Sequence, residues 1–305
     1  MTWAVGIDLG GTQLKAVAVD ASGRVFAREV YPTEDGRTTP VDWIARAGRA
    51  LADFSGTAGA APAVVGVCAP GLAAGDARSI AHMPGRLAGL VGLDWGAALG
   101  RAQIVPVLND GHAALLGEAW IGAARGRRHV VMLTLGTGIG GAVLSDGQLL
   151  RGAIGRAGHI GHLCLDPDGE PSIAGMPGAI EVLAGDCTVV RRSGGRFTDT
   201  AALVAAHRAG DALATSVWLK SVRALGCAIG SCINLFDPEI VVLGGGIAQA
   251  GDALFGPLAR ELDRVEWRPG GHRVPVVPAE LGEWAGGIGA ARWALRPEAS
   301  GGVGN

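Results

Sequence analysis

Residues 8–15 read Asp8-Leu9-Gly10-Gly11-Thr12-Gln13-Leu14-Lys15, set between the apolar runs AVGI (4–7) and AVAVD (16–20). Both flanks are short and rich in valine and alanine, and Ser22-Gly23 marks a second turn further on. That spacing predicts strand, glycine turn, strand, turn, strand: an antiparallel meander. Two glycines in the first turn leave no side chain to keep a ligand away. Their backbone N–H groups can then form a small anion-binding nest. Taken alone, the stretch is equally compatible with a plain tight hairpin.

An echo lies about half a chain away. Residues 130–147 read VVMLTLGTGIGGAVLSDG, an apolar strand, a glycine turn, a second apolar strand and a Ser-Asp-Gly turn. Asp8-Leu9-Gly10-Gly11-Thr12 is thereby answered by Thr134-Leu135-Gly136-Thr137-Gly138. The repetition predicts a duplicated domain, with two glycine turns facing across a cleft to clamp a polyphosphate. Gly136, Gly138 and Gly141 also satisfy G-x-G-x-x-G, but that dinucleotide signature must open a helix, and AVLSDG continues as a strand. A Walker A loop is absent, because the two lysines, Lys15 and Lys220, lie outside any such pattern. A third cluster, Gly244-Gly245-Gly246, follows the apolar EIVVL and precedes the helical pattern DALFGPLARELDRV. It either lets backbone approach a base or ribose, or simply turns a strand into a helix.

Bulk properties narrow the partners. The 305 residues are 49% hydrophobic with a net charge of −2, which gives no electrostatic reason to expect nucleic acid or an anionic membrane. The uncharged apolar run Val130 to Ser145 falls short of the roughly 18 apolar residues that a membrane helix needs. The N-terminus lacks a basic region, and Asp8 interrupts any signal-like core. Five cysteines, odd in number and without CxxC spacing, read as reduced, mostly buried thiols of a cytoplasmic protein.

Together these motifs resemble the ROK family of sugar kinases, within the actin and hexokinase superfamily. DLGGTxxK resembles its first phosphate loop, LGTGIGG its second and VVLGGGI its adenosine segment, over about residues 4–293. The resemblance implies an α/β, two-domain, duplicated ribonuclease H-like fold with a central interdomain cleft. We place the small domain at 1–118 plus 281–305, including the returning helix LGEWAGGIGAARWAL (281–295), and the large domain at 119–280. The tail SGGVGN is expected to be disordered. The family also covers repressors that carry a DNA-binding segment ahead of the first strand. Only three residues precede Ala4, so that reading is not favoured.

The resemblance also assigns chemistry. VPVLNDGHAALLGEAW places Asn109-Asp110 where a strand gives way to a helix, in the family's NDxxA pattern with Ala113 following. Asp110 is the expected catalytic base and Asn109 a sugar ligand; the alternative is a simple helix cap. Gly71, in the PG loop CAPGLAAGD, joins the sugar site. The family's later Pro-Asn is Pro84-Gly85 here, which leaves Arg86 or a water to replace the lost amide. Phosphate contacts fall to Gly10, Gly11, Thr12, Lys15, Thr134, Gly136, Thr137 and Gly138, and the nucleoside to Gly244, Gly245 and Gly246. Asp8 is expected to act on magnesium through water.

Residues 152–181 depart from the family pattern twice. Ser172, Ala174 and Ala179 stand where three zinc cysteines are expected, so His162 alone remains and no structural zinc is expected. The loop would then rest on packing around Ile173, Met176, Pro177 and Ile180, with Cys164 out of register. His159 replaces the usual glutamate beside the retained His162 and Glu181. An imidazole can donate as well as accept, which changes how a ring hydroxyl or an acyl group is read; the alternative is neutral drift. AGHIGH resembles the version in bacterial N-acetylmannosamine kinases.

The resulting expectation is an ATP- and magnesium-dependent kinase that phosphorylates a hexose or N-acetylhexosamine at the 6-hydroxyl. A glucokinase with an altered sugar site and a non-catalytic sugar sensor remain alternatives. By resemblance the chain is a homodimer, with no nucleic-acid or membrane partner.

Overall fold

The computed structural model describes residues 2–296; the tail SGGVGN lies outside them. The chain forms two compact units. The first runs to Gly126 and adds Arg151–Ala157 and the chain from Glu280 onward; the second comprises Arg127–Leu150 and Gly158–Ala279.

In the first unit the predicted meander is β1 (Trp3–Leu9), β2 (Gln13–Asp20) and β3 (Val25–Pro32), antiparallel throughout. Helix α1 (Pro40–Ala58) leads to β4 (Val64–Ala69), which runs parallel to β1. The small ribbon β5 (Leu72–Ala73) and β6 (Ile80–His82) and the short α2 (Trp95–Ala98) precede β7 (Val107–Asn109), parallel to β4. Helix α3 (Asp110–Ile121) follows β7 without a break. The sheet order is β3-β2-β1-β4-β7.

The second unit repeats this plan. Strands β8 (Val130–Leu135), β9 (Ile139–Ser145) and β10 (Gln148–Leu149) form the meander. Short helices α4 (Ile180–Ala184) and α5 (Val189–Arg192) and the longer α6 (Thr200–Arg208) and α7 (Ala212–Phe236) come before β11 (Ile240–Gly244). Then follow α8 (Asp252–Val265) and β12 (Val276–Pro278). The order β10-β9-β8-β11-β12 matches the first sheet strand for strand. This is the duplicated ribonuclease H-like arrangement of the actin/hexokinase class. The last element among the described residues is α9 (Ala285–Ala294), which belongs to the first unit.

Strand period divides the first unit's core. Trp3, Val5, Ile7 and Leu9 face Trp43, Ala47, Ala50 and Phe54 of α1, while Ala4 and Val17 face Ile288 and Ala291 of α9. The α9 side is packed backbone to backbone. A Cβ on Gly6 would meet the Gly287 carbonyl, one on Gly117 the Ala285 carbonyl, and one on Gly289 the Ala113 carbonyl. Glu118, fully buried, accepts N–H bonds from Ala123 (2.8 Å), Glu280 (3.2 Å) and Leu281 (2.8 Å), so it pins the returning chain to α3. The expected boundary at 118 therefore falls inside α3, whose last turns belong with the first unit.

In the second unit, Val131, Leu133 and Leu135 of β8 pack with Trp218, Val222, Leu225 and Ile229 of α7. By length and composition α7 is apolar enough to cross a bilayer, but its apolar face is spent on this core. The five thiols are all free, and only Cys68 and Cys232 are buried. Cys164 and Cys187 are exposed, which corrects the expectation of mostly buried thiols; Cys164 sits in an isolated β-bridge with Ala179 and Cys187 in the single 3-10 turn Asp186–Thr188.

Candidate active site

The strand-to-helix step at Asn109-Asp110 divides two tasks between neighbouring side chains. Asn109 Oδ1 accepts from the N–H groups of Gly111 (2.9 Å) and His112 (3.2 Å), so the helix cap is Asn109. Its Nδ2 donates to the Gly71 carbonyl at 2.9 Å. Gly71 has φ +102°, and a Cβ there would press on the His82 carbonyl, so only glycine suits this loop. Asp110 occupies the first helical position, exposed, with Oδ1 accepting from Gly111 N–H at 2.8 Å. An exposed carboxylate at the end of a strand can be reached by a substrate hydroxyl and accept its proton.

Asp8 stands at the end of β1, directly opposite Lys15 in register. The alternation of the strand turns it toward α9, where Gly286 leaves room for the carboxylate. Burial, followed by repulsion from Asp110, raises its pKa from 3.8 to about 6, against smaller opposing effects of Lys15 and a hydrogen bond from Cys68. Burial likewise pushes the Cys68 thiol well up. Lys15 Nζ lies 3.1 Å from Glu283.

The two glycine bends are held alike. In the first, the carbonyls of Gly11 and Thr12 accept from Asp35 (3.0 Å) and Thr33 (2.7 Å). In the second, those of Gly136 and Thr137 accept from Asp186 (3.0 Å) and Cys187 (2.9 Å). Across a trans peptide the next N–H points the opposite way. Thr12 and Gln13, and equally Thr137 and Gly138, therefore turn their N–H groups away from the segment that anchors the bend. That is how a nest presents donors. Thr134 precedes the second bend, paired with Gly140 across the hairpin.

Within the second unit, a cavity of about 530 Å³ is lined by the Gly136-Thr137 bend, by Gly246, Ile247, Gln249 and Ala250, and by one face of α6. Gly244 ends β11, and Gly245, at φ +86°, lies with its Cα against the Leu135 backbone, so the third glycine cluster packs directly on the second bend. The remaining lining is apolar at Val204, Ala201, Ala205 and Ile247 and polar at Asp186, Asp199, Thr200, Arg208 and Gln249. Asp199 caps α6 through Ala202 N–H (2.8 Å), Asp186 accepts from Thr200 N–H (2.6 Å), and Arg208 donates to the Ala250 carbonyl (2.7 Å). The sequence reading singled out none of these five polar residues. Only the aspartate before TAALVAAHR carries a local signal, that of a helix cap.

His159, His162 and Glu181 lie elsewhere in the same unit. The two imidazoles are nearly parallel (12°) with centroids 6.4 Å apart. Glu181 Oε2 accepts from Ile139 N–H at 3.4 Å and closes on Gly138, where a Cβ would collide with it. Glu181 Oε1 and His162 Nδ1 are buried with no hydrogen-bond partner. A buried polar atom left unsatisfied costs about 1–3 kcal/mol, and a polyhydroxylated ligand would recover that. The loop at 164–180 is held by packing at Ile180, which is buried in the core, but not at its tip: Ile173 is 87% exposed and Met176 is exposed too, because this short turn faces no apolar surface. Backbone pairing holds the rest. Ser172 N–H donates to the Met176 carbonyl (2.8 Å), Ser172 Oγ accepts from Ala174 (3.2 Å) and Met176 (3.3 Å), and Ile180 N–H donates to Leu163 (2.9 Å).

The sequence profile of the ROK family matches residues 4–297. A protein named glucokinase from Thermotoga maritima is 32% identical, covering 94% of this chain and 95% of its own length. One named N-acetylmannosamine kinase from Yersinia pseudotuberculosis serotype O:1b is 29% identical, covering 95% and 97%. Among solved structures, a ROK hexokinase from Thermus thermophilus superposes with a TM-score of 0.84 at 32% identity, covering 95% of this chain and 97% of that one. A ROK family glucokinase from Streptomyces griseus, in complex with glucose and AMPPNP, gives 0.77 at 28%, covering 96% and 99%. A profile that runs from the first strand to the last helix takes in both sheets and every glycine bend described above, and this chain belongs to the ROK family.

Proposed function

We propose that this chain is an ATP-dependent sugar kinase that phosphorylates a hexose or N-acetylhexosamine at its 6-hydroxyl. The observation that carries the reading is the cavity of the second unit. Its room suits a nucleoside, with an apolar wall for the base and a glycine bend turning N–H groups outward for phosphate. The names of the relatives support the same class of reaction. Gly136, Thr137 and Gly138 hold phosphate with Thr134 behind them, Gly244 to Gly246 let the nucleoside approach, and Gly10, Gly11, Thr12 and Lys15 serve phosphate from the first unit.

Asp110 acts as general base. It takes the proton of the sugar hydroxyl as that oxygen attacks the terminal phosphorus of ATP, and ADP leaves. Asn109, with both ends of its amide engaged, is a positioning residue that fixes Asp110 and Gly71. His159, His162 and Glu181 hold ring hydroxyls. Of these, His159 can donate to an acyl oxygen where a carboxylate cannot, which favours an N-acetylated sugar. The carboxylate of Asp8, repelled by Asp110, fits a hard cation such as magnesium. When bound, that ion neutralises phosphate charge. Ser172, Ala174 and Ala179 offer no zinc ligands, and we assign no structural zinc. We further infer a cytoplasmic homodimer.

The test is a coupled ADP-release assay across glucose, mannose, fructose, glucosamine, N-acetylglucosamine and N-acetylmannosamine. Turnover is expected with at least one, and Asp110→Ala should reduce it by about 10²–10⁴-fold while sparing sugar binding. Sugar binding without any turnover would identify a sensor instead; undiminished turnover in the variant would remove Asp110 as the base.

A further inference from the structure

Arg86 stands in the turn Pro84-Gly85-Arg86-Leu87 and lies on the first glycine bend. A Cβ on Gly11 would collide with the Arg86 guanidinium at Nη2, so the absence of a side chain on Gly11 is what admits it. Asp35 ties the same parts together. Its N–H donates to the Gly11 carbonyl (3.0 Å), its Oδ1 accepts from Leu87 N–H (2.9 Å), and its Oδ2 lies 3.5 Å from Arg86 Nε. The turn is also held in unfavourable backbone geometry at Leu87, with φ +49°, next to Gly85, which adopts φ +74° without cost. Leu87 is not a glycine; its left-handed conformation is maintained by burial of its side chain and by the bond to Asp35. Strain of this kind, fastened at two points, persists where it serves a purpose, and here it carries a cation onto a phosphate bend.

The contact at Nε uses the inner edge of the guanidinium and directs Nη2 to Gly11. A half-exposed guanidinium (51%) in contact with the bend adds a cation that the glycines alone do not supply. We infer that Arg86 contacts the phosphoryl group in transfer, as a cation added to the first glycine bend, and does not replace a sugar-binding amide. The inference rests on the kinase reading, but it concerns the terminal phosphate of the donor and leaves the sugar site alone.

Titration calorimetry with AMPPNP and with ADP separates the outcomes without requiring turnover. Arg86→Gln should weaken AMPPNP by about tenfold or more and leave ADP within about twofold, because only the former carries the terminal phosphate. In the ADP-release assay, with the sugar that the wild-type protein turns over, kcat/KM for ATP should fall about 10²-fold at an unchanged KM for sugar. Arg86→Lys should be intermediate, a point charge without the planar fork. Equal loss of AMPPNP and ADP affinity, a rise confined to the sugar KM, or no change in either would overturn the inference. Loss of turnover in Asp110→Ala with Arg86→Gln unaltered would refute this inference and leave the kinase reading intact.

Discussion

Asp8 holds a carboxylate where burial and a neighbouring carboxylate both oppose its charge. Its pKa of about 6, against an ordinary 3.8, means that the folded protein binds more protons than the unfolded chain between those values. Stability therefore falls as pH rises from about 4 to 6, and the full cost is present above 6. Asp8→Asn removes this cost. At pH 7 it should raise unfolding stability by about 1–3 kcal/mol while abolishing turnover, and the wild-type excess slope between pH 4 and 6 should vanish. Urea unfolding of both proteins across that range checks the sign; a less stable variant at pH 7 would contradict it. Asn109 and Asp110 show how much of such detail was legible in advance. Their place at a strand end follows from apolar spacing, but which of the two caps the helix depends on a carbonyl 38 residues away, at Gly71.

Among the elements, α3 and α9 are close enough that glycine is a packing requirement and not a flexible joint. Gly289→Ala drives a methyl into the Ala113 carbonyl and should cost about 2–4 kcal/mol. Gly48→Ala in α1, where no atom lies within 4 Å of the added methyl, should instead stabilise by up to about 1 kcal/mol. Thermal unfolding of the pair checks the contrast, and equal effects would mean that propensity rather than contact governs. The alanine and glycine faces of α9 were readable from LGEWAGGIGAARWAL; the partner helix that requires them was not. At the 164–180 loop, Ile173 and Met176 were read as packing residues because they are apolar, yet a turn this short has no facing surface to bury them against. Ser172 supplies the order through local hydrogen bonds. Excess EDTA should accordingly stop turnover, magnesium alone should restore it, and the nucleotide-free melting midpoint should not move. A midpoint that drops and returns only with zinc would contradict this.

At the scale of the whole chain, the duplication was legible because it is written in glycines and valines, whose local preferences survive in any context. The matching sheet orders follow from that repetition. The polar lining of the nucleotide-sized cavity was not legible. Asp186, Asp199, Thr200, Arg208 and Gln249 come from irregular turns and helix ends spread over some sixty residues, and only packing brings them to one wall. The attachment of α9 to the first unit has a consequence for biogenesis. A ribosome releases β1 to α3 long before it makes α9, so one face of that sheet, with Gly6 and Gly66 bare, stays uncovered while the whole second unit is being translated. During that interval the nascent N-terminal half depends on shielding from other molecules, and any premature stop ahead of Ala285 leaves it without its lid.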